Sequence, residues 1–453
     1  MALTKGGQQM NKDVLELIKK GEFIEARNKI ISENIVDIAH FFEEIEQNEL
    51  LIMFRILPKD IASGVFTHMS TELQRYIVES ITDEEIIGIV DKLFLDDAVD
   101  FLEEMPANIV KKVLRNTDNK KRALINLFLD YPKDSAGSIM TIEYVDLKKE
   151  MTVKRALEYI KKTGVDKATI DTCFVMDNKR ILEGYISLRK LILSEETDII
   201  GDVMETGEVH VNTHDDQEEI AMLFKKYDYI VMPVVDNENR LVGIVTIDDI
   251  VDVIDEEATE DFQKMAAMEP SEKEYLKTSS LQLAKHRIPW LLMLMISATF
   301  TGAIIIKYEH ALQSVTVLAA FIPMLMDTGG NAGSQSSTLV IRGLALGDIR
   351  LKDVFSVIVK ELQVSAIVGI VLFIINFVRI YFIEKVDILI AITVSTTILA
   401  TVILSKIVGS ILPIIAKKLK LDPAIMTGPL ITTIVDSVAL IVYFVIATWL
   451  LGI

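Results

Sequence analysis

The sequence predicts a multidomain chain: an α-helical superhelix, a tandem α/β repeat, an acidic connecting helix and a five-helix α transmembrane domain. Three observations carry this. Charge and long apolar runs segregate along the chain, a 12-residue pattern recurs near its start, and a pattern offset by 64 residues follows.

The 453 residues are 50% hydrophobic, with one cysteine and a formal charge of −19. Residues 1–285 hold 35 Lys+Arg and 57 Asp+Glu, a net −22, whereas from His286 onward there are 12 and 9, a net +3. The acidic excess and the long apolar segments therefore occupy different parts of the chain. The acidity excludes a nucleic-acid partner, which needs a basic stripe. Cys173 stands alone, so no intrachain disulfide forms, in keeping with a reducing cytoplasm. Met1 to Met10 is polar and lacks the apolar run of a signal peptide, and reads as a flexible leader.

The first domain, 1–132, carries the short repeat. Its blocks begin at Pro58, Ser70, Thr82, Phe94 and Pro106 and end at Met69, Ile81, Leu93, Met105 and Thr117. Each opens on a starter or capping residue, continues with acids, and holds an apolar group such as Ile86/Ile87 or Val99/Phe101/Leu102. Thr82 with Glu85 predicts a capping box, in which a hydroxyl and a carboxylate satisfy orphan N–H groups. Helices this short cannot bury a face alone, so they stack into a superhelix. The plain account of their acids is a solvated face.

The second domain, 133–256, carries the longer repeat. Gly137-Ser-Ile-Met140 recurs as Gly201-Asp-Val-Met204, and Val145-Asp-Leu147 as Val209-His-Val211. Phe174-Val-Met-Asp-Asn178 is answered by Pro233-Val-Val-Asp-Asn237, and Gly184-Tyr-Ile-Ser187 by Gly243-Ile-Val-Thr246. Each unit predicts strand, helix, strand, a turn at Asp-Asn, strand and helix. Over about Ser135 to Ile254 this resembles a tandem pair of CBS domains. That resemblance implies an adenine nucleotide such as ATP, its ribose held by a Ser/Thr and an Asp three residues on. Thr246 and Asp249 match that pattern; Ser187 followed by Lys190 departs from it.

An acidic connecting helix, 257–285 with its acids starting at Asp248, comes next. On a continuous helix Asp249, Asp252, Glu256 and Glu260 fall within about 80° of one face. Like charges so spaced weaken a helix, while a hard divalent cation wants such carboxylate oxygens. The bland alternative is a solvated acidic linker.

Residues 286–453 hold five apolar segments: Ile288–Ile306, Ala311–Ile341, Leu362–Val378, Ile388–Ala416 and Pro423–Ile453. A bilayer takes about 20 residues of helix, so each reads as a span. Lys285/Arg287, Arg342/Arg350/Lys352 and Lys417/Lys418/Lys420 lie on one side, which the positive-inside rule places in the cytoplasm. A multi-pass protein of the cell (inner) membrane follows, with its N-terminus cytoplasmic and its C-terminus outside.

Two segments break the apolar pattern: Pro323 to Ser337 and Gly428 to Asp436. Charges inside the bilayer are costly and mark ion pathways. Asp436 lies 13 residues from Pro423 and 17 from Ile453, which reads as mid-bilayer. Lys406 is an isolated cation expected to snorkel. Gly329, Gly330 and Gly333 would expose carbonyls in non-helical backbone covered by protein or water, with Asn331, Gln335, Thr432 and Thr433 supplying neutral oxygens. Gly329 and Gly333 also fit small-residue helix packing. Mg²⁺ keeps its waters and is held by one or two carboxylates, and one Asp436 from each copy of a two-fold dimer would match its charge. No Cys/His cluster suits a softer metal, and no His-Glu-x-x-His site suggests an intramembrane metalloprotease.

This ordered set resembles the MgtE family of magnesium channels over essentially the whole chain, most specifically in Gly-Gly-Asn-Ala-Gly-Ser-Gln at 329–335 with Pro429 and Asp436. The resemblance implies a homodimer in the lipid bilayer, not an enzyme, with a pore lined by the second and fifth spans and Asp436 as the selectivity carboxylate. It implies regulatory Mg²⁺ at Asp249, Asp252, Glu257, Glu260 and Asp261, with Asp422 as their partner. The helical face favours Glu256 over Glu257, and both stand. Cytoplasmic Mg²⁺ would then bridge acidic surfaces and close the pore. Rival functions are transport of another divalent ion (Co²⁺ or Ca²⁺) and nucleotide sensing at the membrane without transport.

Overall fold

The computed structural model describes residues 5–207, 209–271, 275–276, 278–426 and 428–452, so the first four residues of the polar leader lie outside it. The chain divides into two compact units, Met1–Val253 and Ile254–Ile453.

The first unit begins with α1 (Lys5–Lys20), α2 (Phe23–Ile30), α3 (Ile35–Glu44), α4 (Gln47–Ile56) and α5 (Lys59–Thr67). There follow α6 (Thr71–Ser80), α7 (Asp83–Val90), α8 (Leu95–Glu103), α9 (Ala107–Asn116) and α10 (Asn119–Phe128). The leader from Lys5 on is thus helical, not a loose tail. The five block starts are the N-caps of α5 to α9. The same 12-residue interval extends upstream to the caps Glu22, Asn34 and Glu46 and downstream to Asp118. The capping box at Thr82 and Glu85 is formed.

Helices of 8–10 residues leave many orphan carbonyls at their ends. Lysines from later helices meet some of them. Lys112 donates to the carbonyls of Val78 (2.7 Å) and Ile81 (3.4 Å), and Lys121 to those of Val90 and Leu93, both at 2.6 Å. Helices two apart pack together, α3 on α5, α5 on α7 and α7 on α9, around buried Phe42, Phe54, Phe66 and Phe101.

The tandem repeat follows. Its first copy is α11 (Ala136–Ile139), β1 (Val145–Leu147), α12 (Val153–Thr163), β2 (Thr172–Met176), β3 (Leu182–Ser187) and α13 (Leu188–Leu193). The second is α14 (Ile200–Val203), β4 (Val211–Asn212), α15 (Gln217–Tyr227), β5 (Val231–Val235), β6 (Leu241–Thr246) and α16 (Ile247–Met265). Each copy forms a three-stranded sheet, with the first strand parallel to the second and the second antiparallel to the third.

The two copies exchange their lead-in segments: Thr141 bridges to Ile244 of β6, and Glu205 to Tyr185 of β3. That crossing is why glycine recurs at 184 and 243. A Cβ there would lie 2.3 Å from the Glu205 carbonyl oxygen and 2.9 Å from that of Thr141. Tyr144, Phe174, Met176, Val231, Leu241 and Ile244 close the space between the sheets. Met140, Val211 and Phe224 join the same core as Phe101 and Phe128, so the superhelix and the repeat share one apolar interior. Cys173 is buried, and burial pushes its thiol up to about 12, which makes it chemically inert.

The second unit holds the end of α16, then α17 (Ser280–Lys307), α18 (Glu309–Ser314), α19 (Leu318–Ala345), α20 (Val354–Val378), α21 (Ile388–Lys418) and α22 (Gly428–Leu451). Helix α21 is central and packs on α19, α20 and α22, while α17 packs on α22. Among the described residues four helical stretches are long and apolar enough to cross a membrane: Ser280–Lys307, Leu351–Ile383, Ile388–Lys418 and Gly428–Leu451. Helix α19 is equally long, but its polar middle dilutes its hydropathy.

Several expectations are corrected. The segment expected at 311–341 is split, because α18 ends at Ser314 and α19 starts at Leu318. The third span starts at Val354, not Leu362, and so carries Lys360 and Glu361 inside the helix. The acidic helix does not run over 257–285: it is continuous from Ile247 to Met265, and α17 begins at Ser280. The glycine-rich run is helical throughout, for its glycines sit against neighbouring helices rather than opening the backbone.

Candidate functional site

On α19, Asp327, Asn331, Gln335 and Thr338 are exposed. Their spacing of 4, 4 and 3 makes one stripe on a helix of 3.6 residues per turn. The opposite face is buried. A Cβ on Gly329 would come 2.8 Å from Thr401 Cγ2 and 3.0 Å from Val435 Cγ1, and one on Gly330 2.8 Å from Thr432 Cγ2. Gly329, expected to line a path, is therefore a packing residue. At the closest approach a Cβ on Gly409 would lie 2.2 Å from the Gly333 carbonyl oxygen, so α19 and α21 touch backbone to backbone.

Asp436 is half-buried on α22, eight residues after Gly428. At 1.5 Å per residue that is about 12 Å into the helix, nearer its middle than its start. Asp422 caps the short turn Pro423–Ile425, and the spanning helix starts at Gly428. The carboxylates of Asp436 and Asp327 repel each other electrostatically. Among the described residues none donates a hydrogen bond to Asp436 or pairs with it.

The hydroxyls of Thr432 and Thr433 both donate to the Pro429 carbonyl, at 2.9 and 2.8 Å. With their protons so engaged, the two oxygens present lone pairs only, the polarity a hydrated cation wants. Lys406 does not snorkel. It is 5% exposed, its Nζ 3.2 Å from Ser336 Oγ and 3.8 Å from Glu361 Oε2. Glu361 was missed because it stood just outside the apolar window; a helix boundary eight residues earlier would have flagged it.

On α16 the acids part. Asp252 and Glu256 are exposed, whereas Glu257, Glu260 and Asp261 share a half-buried face with Lys264. Lys264 Nζ sits 2.5 Å from Glu260 Oε1 and 2.6 Å from Asp422 Oδ2. Burial works to lower the Lys264 pKa, but its hydrogen bonds with Asp422 and Glu260 outweigh it and hold the ammonium charged. Burial, then the Asp422 charge, raises the Asp261 carboxyl above the ordinary range. Asp422 thus meets the acidic face through Lys264, which lies between. In the sequence Lys264 carries no signal of this role, since it follows a run of acids without sharing their pattern.

In the first unit, Thr246 Oγ1 donates to Asp249 Oδ2 at 2.6 Å. Asp249 is pushed up to about 6, by burial first, with the Thr246 hydrogen bond opposing and Asp248 and Asp97 adding to it. On α8, burial and then Asp97 and Asp249 raise Asp96 well above its ordinary value, and burial pushes Asp97 up to about 6 against the pull of His68. The superhelix therefore presents Asp96 and Asp97 to Asp248 and Asp249. In the first repeat, Ser187 caps α13 and Lys190 pairs with Glu205 at 3.2 Å, so no carboxylate stands where Asp249 does. Among the described residues no three His, Cys, Asp or Glu side chains converge tightly enough to hold a metal ion by themselves.

Three family models match the chain: MgtE, a divalent cation transporter, at residues 322–446; the MgtE intracellular N domain at 33–134; and the CBS domain at 200–256. The magnesium transporter MgtE of Thermus thermophilus is 34% identical over 440 residues, covering 96% of this chain and 97% of that protein. Its Bacillus subtilis counterpart is 34% identical over 436 residues, 96% of each. Among solved structures, the soluble part of a magnesium transporter matches with a TM-score of 0.54 at 28% identity, covering 56% of this chain and 99% of that one. The cytosolic domain of the Mg²⁺ channel MgtE in complex with ATP matches with 0.51 at 33%, covering 54% and 99%. A helical-repeat and CBS part, carried by a bundle of apolar helices with a carboxylate-bearing polar stripe, is the make-up of a divalent-cation transporter. The chain belongs to the MgtE family.

Proposed function

We propose that this chain forms a homodimeric Mg²⁺ channel or transporter in the cell membrane, closed by the Mg²⁺ it admits. The carrying observation is the exposed stripe of Asp327, Asn331, Gln335 and Thr338 beside Asp436, on helices whose neighbours are apolar. Such a face is costly against lipid. A second copy related by a two-fold axis would enclose it as a water-filled path. Asp436 of each copy then supplies one negative charge to a hydrated Mg²⁺, and Asn331, Gln335, Thr432 and Thr433 contact its water shell, since Mg²⁺ sheds water reluctantly.

The functional division is a helical repeat domain over 1–132, the CBS pair over 133–256, a connecting segment over 257–285 and the membrane domain over 286–453. The N-terminus lies in the cytoplasm and the C-terminus outside. Regulatory Mg²⁺ would be held by Asp249, Asp252, Glu257, Glu260, Asp261 and Asp422, with Glu256 contributing from the exposed side of α16. Asp96 and Asp97 join this set because they face Asp249. At low Mg²⁺ the carboxylates repel. At high Mg²⁺ the cation binds the closed arrangement better and shifts the population toward it. ATP would occupy the CBS pair, with Thr246 and Asp249 on its ribose.

The deciding experiment is Mg²⁺ influx into proteoliposomes holding a Mg²⁺-sensitive dye, native protein beside Asp436→Ala. Native uptake that disappears in a folded variant is the expected result. Equal uptake would move the path away from Asp436, and no uptake by either would favour a nucleotide sensor without transport. Competition by Co²⁺ and Ca²⁺ in the same vesicles separates Mg²⁺ from the other divalent cargoes.

A further inference from the structure

We propose that the Glu361–Lys406 pair is a rotational lock on α19, setting which way the polar stripe faces rather than strengthening the bundle. This rests on the reading that the stripe faces the ion path. Ser336 is fully buried, Lys406 is 5% exposed and Glu361 9%. Ser336 Oγ donates to Glu361 Oε2 at 2.5 Å, Lys406 Nζ donates to Ser336 Oγ at 3.2 Å, and the ammonium lies 3.8 Å from the same carboxylate oxygen. One compact, charge-neutral cluster thus joins α19, α20 and α21.

Stability does not account for this cluster. Desolvating two charges costs as much as their attraction returns, and well-packed apolar replacements are commonly neutral or stabilising; the best-attested use of such pairs is to specify register. The register here is angular. Consecutive helix residues are about 100° apart, so anchoring Ser336 turns Gln335 and Asn331 to the exposed side. Next to Ser336 the inner face of α19 is made of glycines rather than interlocking side chains, while Leu318, Phe321, Leu325, Val340 and Leu344 pack it toward its ends. Gly329, Gly330 and Gly333 present bare backbone to Thr401, Thr432 and Val435; further polar contacts to α19 include Ser337, donating to the Met426 carbonyl at 2.7 Å, and Tyr443 and Lys417, donating to the Leu318 and Leu344 carbonyls at 2.9 and 3.1 Å. Glu361 and Lys406 are therefore positioning residues that act through Ser336.

The test uses Asn331→Cys as a reporter in a Cys173→Ala background, reconstituted in proteoliposomes and treated with an impermeant charged methanethiosulfonate. Three versions are compared: the native pair, E361M/K406M, and the reversed pair E361K/K406E. With the native pair the reporter labels from water. In E361M/K406M, labelling of the reporter falls about tenfold, and so does Mg²⁺ influx measured with Asn331 intact, as when an outer-shell partner is lost, while the melting temperature holds or rises. The reversed pair restores both. The proposal is overturned if E361M/K406M labels and conducts as the native pair does, or if its influx falls only in step with its melting temperature. It also falls if the reporter fails to label with the native pair intact; that result, obtained without touching the pair, locates the failure in the path itself.

Discussion

Lys264 holds its ammonium between Glu260 and Asp422, 2.6 Å from the latter, at the place where the acidic helix and the turn before α22 come together. A tethered cation thus occupies ground that a divalent ion would share. The two compete, and Lys264→Met should bind Mg²⁺ more tightly on this face. The internal Mg²⁺ concentration that half-closes the pore in patch-clamp records should fall about fivefold, the worth of one partly exposed ion pair. Asp422→Ala should move it the other way. Identical half-closing concentrations in both variants would remove this face from the sensor.

Asp252→Ala with Glu260→Ala should leave conduction intact and weaken closure by Mg²⁺. Both side chains lie on α16, and the polar stripe lies on α19. Unchanged inhibition by internal Mg²⁺ in this double variant would count against the feedback mechanism.

Thr246 and Asp249 offer a ribose a hydroxyl and a carboxylate already aligned at 2.6 Å. Thr246→Ala should weaken ATP binding about fivefold in calorimetry, from the loss of one hydrogen bond of about 1 kcal/mol. Ser187→Ala, in the repeat that has Lys190, should leave affinity as it was. A reversed order of effects would place the nucleotide in the first repeat.

Acid strengthens the first unit through Asp97 and Asp249, both pushed up to about 6. A carboxyl raised in the fold contributes stability that is fully present below its unfolded pKa of about 4 and lost as pH rises through its folded value. The melting temperature in the absence of Mg²⁺ should therefore rise on going from about pH 7.5 to about pH 5. Asp97→Asn should raise it at the higher pH and flatten the slope. Mg²⁺ should stabilise more at the higher pH, where both groups are ionised. A slope unaffected by Asp97→Asn would assign the pH effect elsewhere.

Gly409→Ala should disrupt the bundle, because its Cβ would meet backbone at 2.2 Å, whereas Gly302→Ala meets nothing within 4 Å. Overpacking of this kind costs about 1–3 kcal/mol or more. Thermal unfolding in detergent compares the two, and equal midpoints would contradict the close packing of α19 on α21.

Much of the architecture was legible in one dimension. The 12-residue period located the N-caps of α5 to α9, because short helices need a starter at each turn of the chain and that need repeats with the helix. The longer repeat located both sheets, because each copy needs the same apolar strands and the same glycine where the other copy crosses. The buried ion pair was not legible. Glu361 sits beside Lys360 at the edge of an apolar window, and Lys406 has no charged neighbour in sequence; their partners, Ser336 and one another, come from 25 to 70 residues away. The separation of Glu256 from Glu257 was equally hidden, since one helical turn admits both until a neighbouring surface covers one side.

Local chemistry was thus enough for the kind of most elements: apolar runs long enough for a bilayer, capping residues at fixed intervals, repeated strand and turn signatures, and an acidic helix. Those depend on a residue and its near neighbours in the chain. Which side of each helix faces what was decided only by tertiary packing. It buried Gly329 and exposed Asn331, put Lys264 between two carboxylates and neutralised Lys406 inside the bundle. The physical reason is that azimuth and charge pairing are set by contacts between segments distant in sequence, where desolvation and close packing outweigh any local preference.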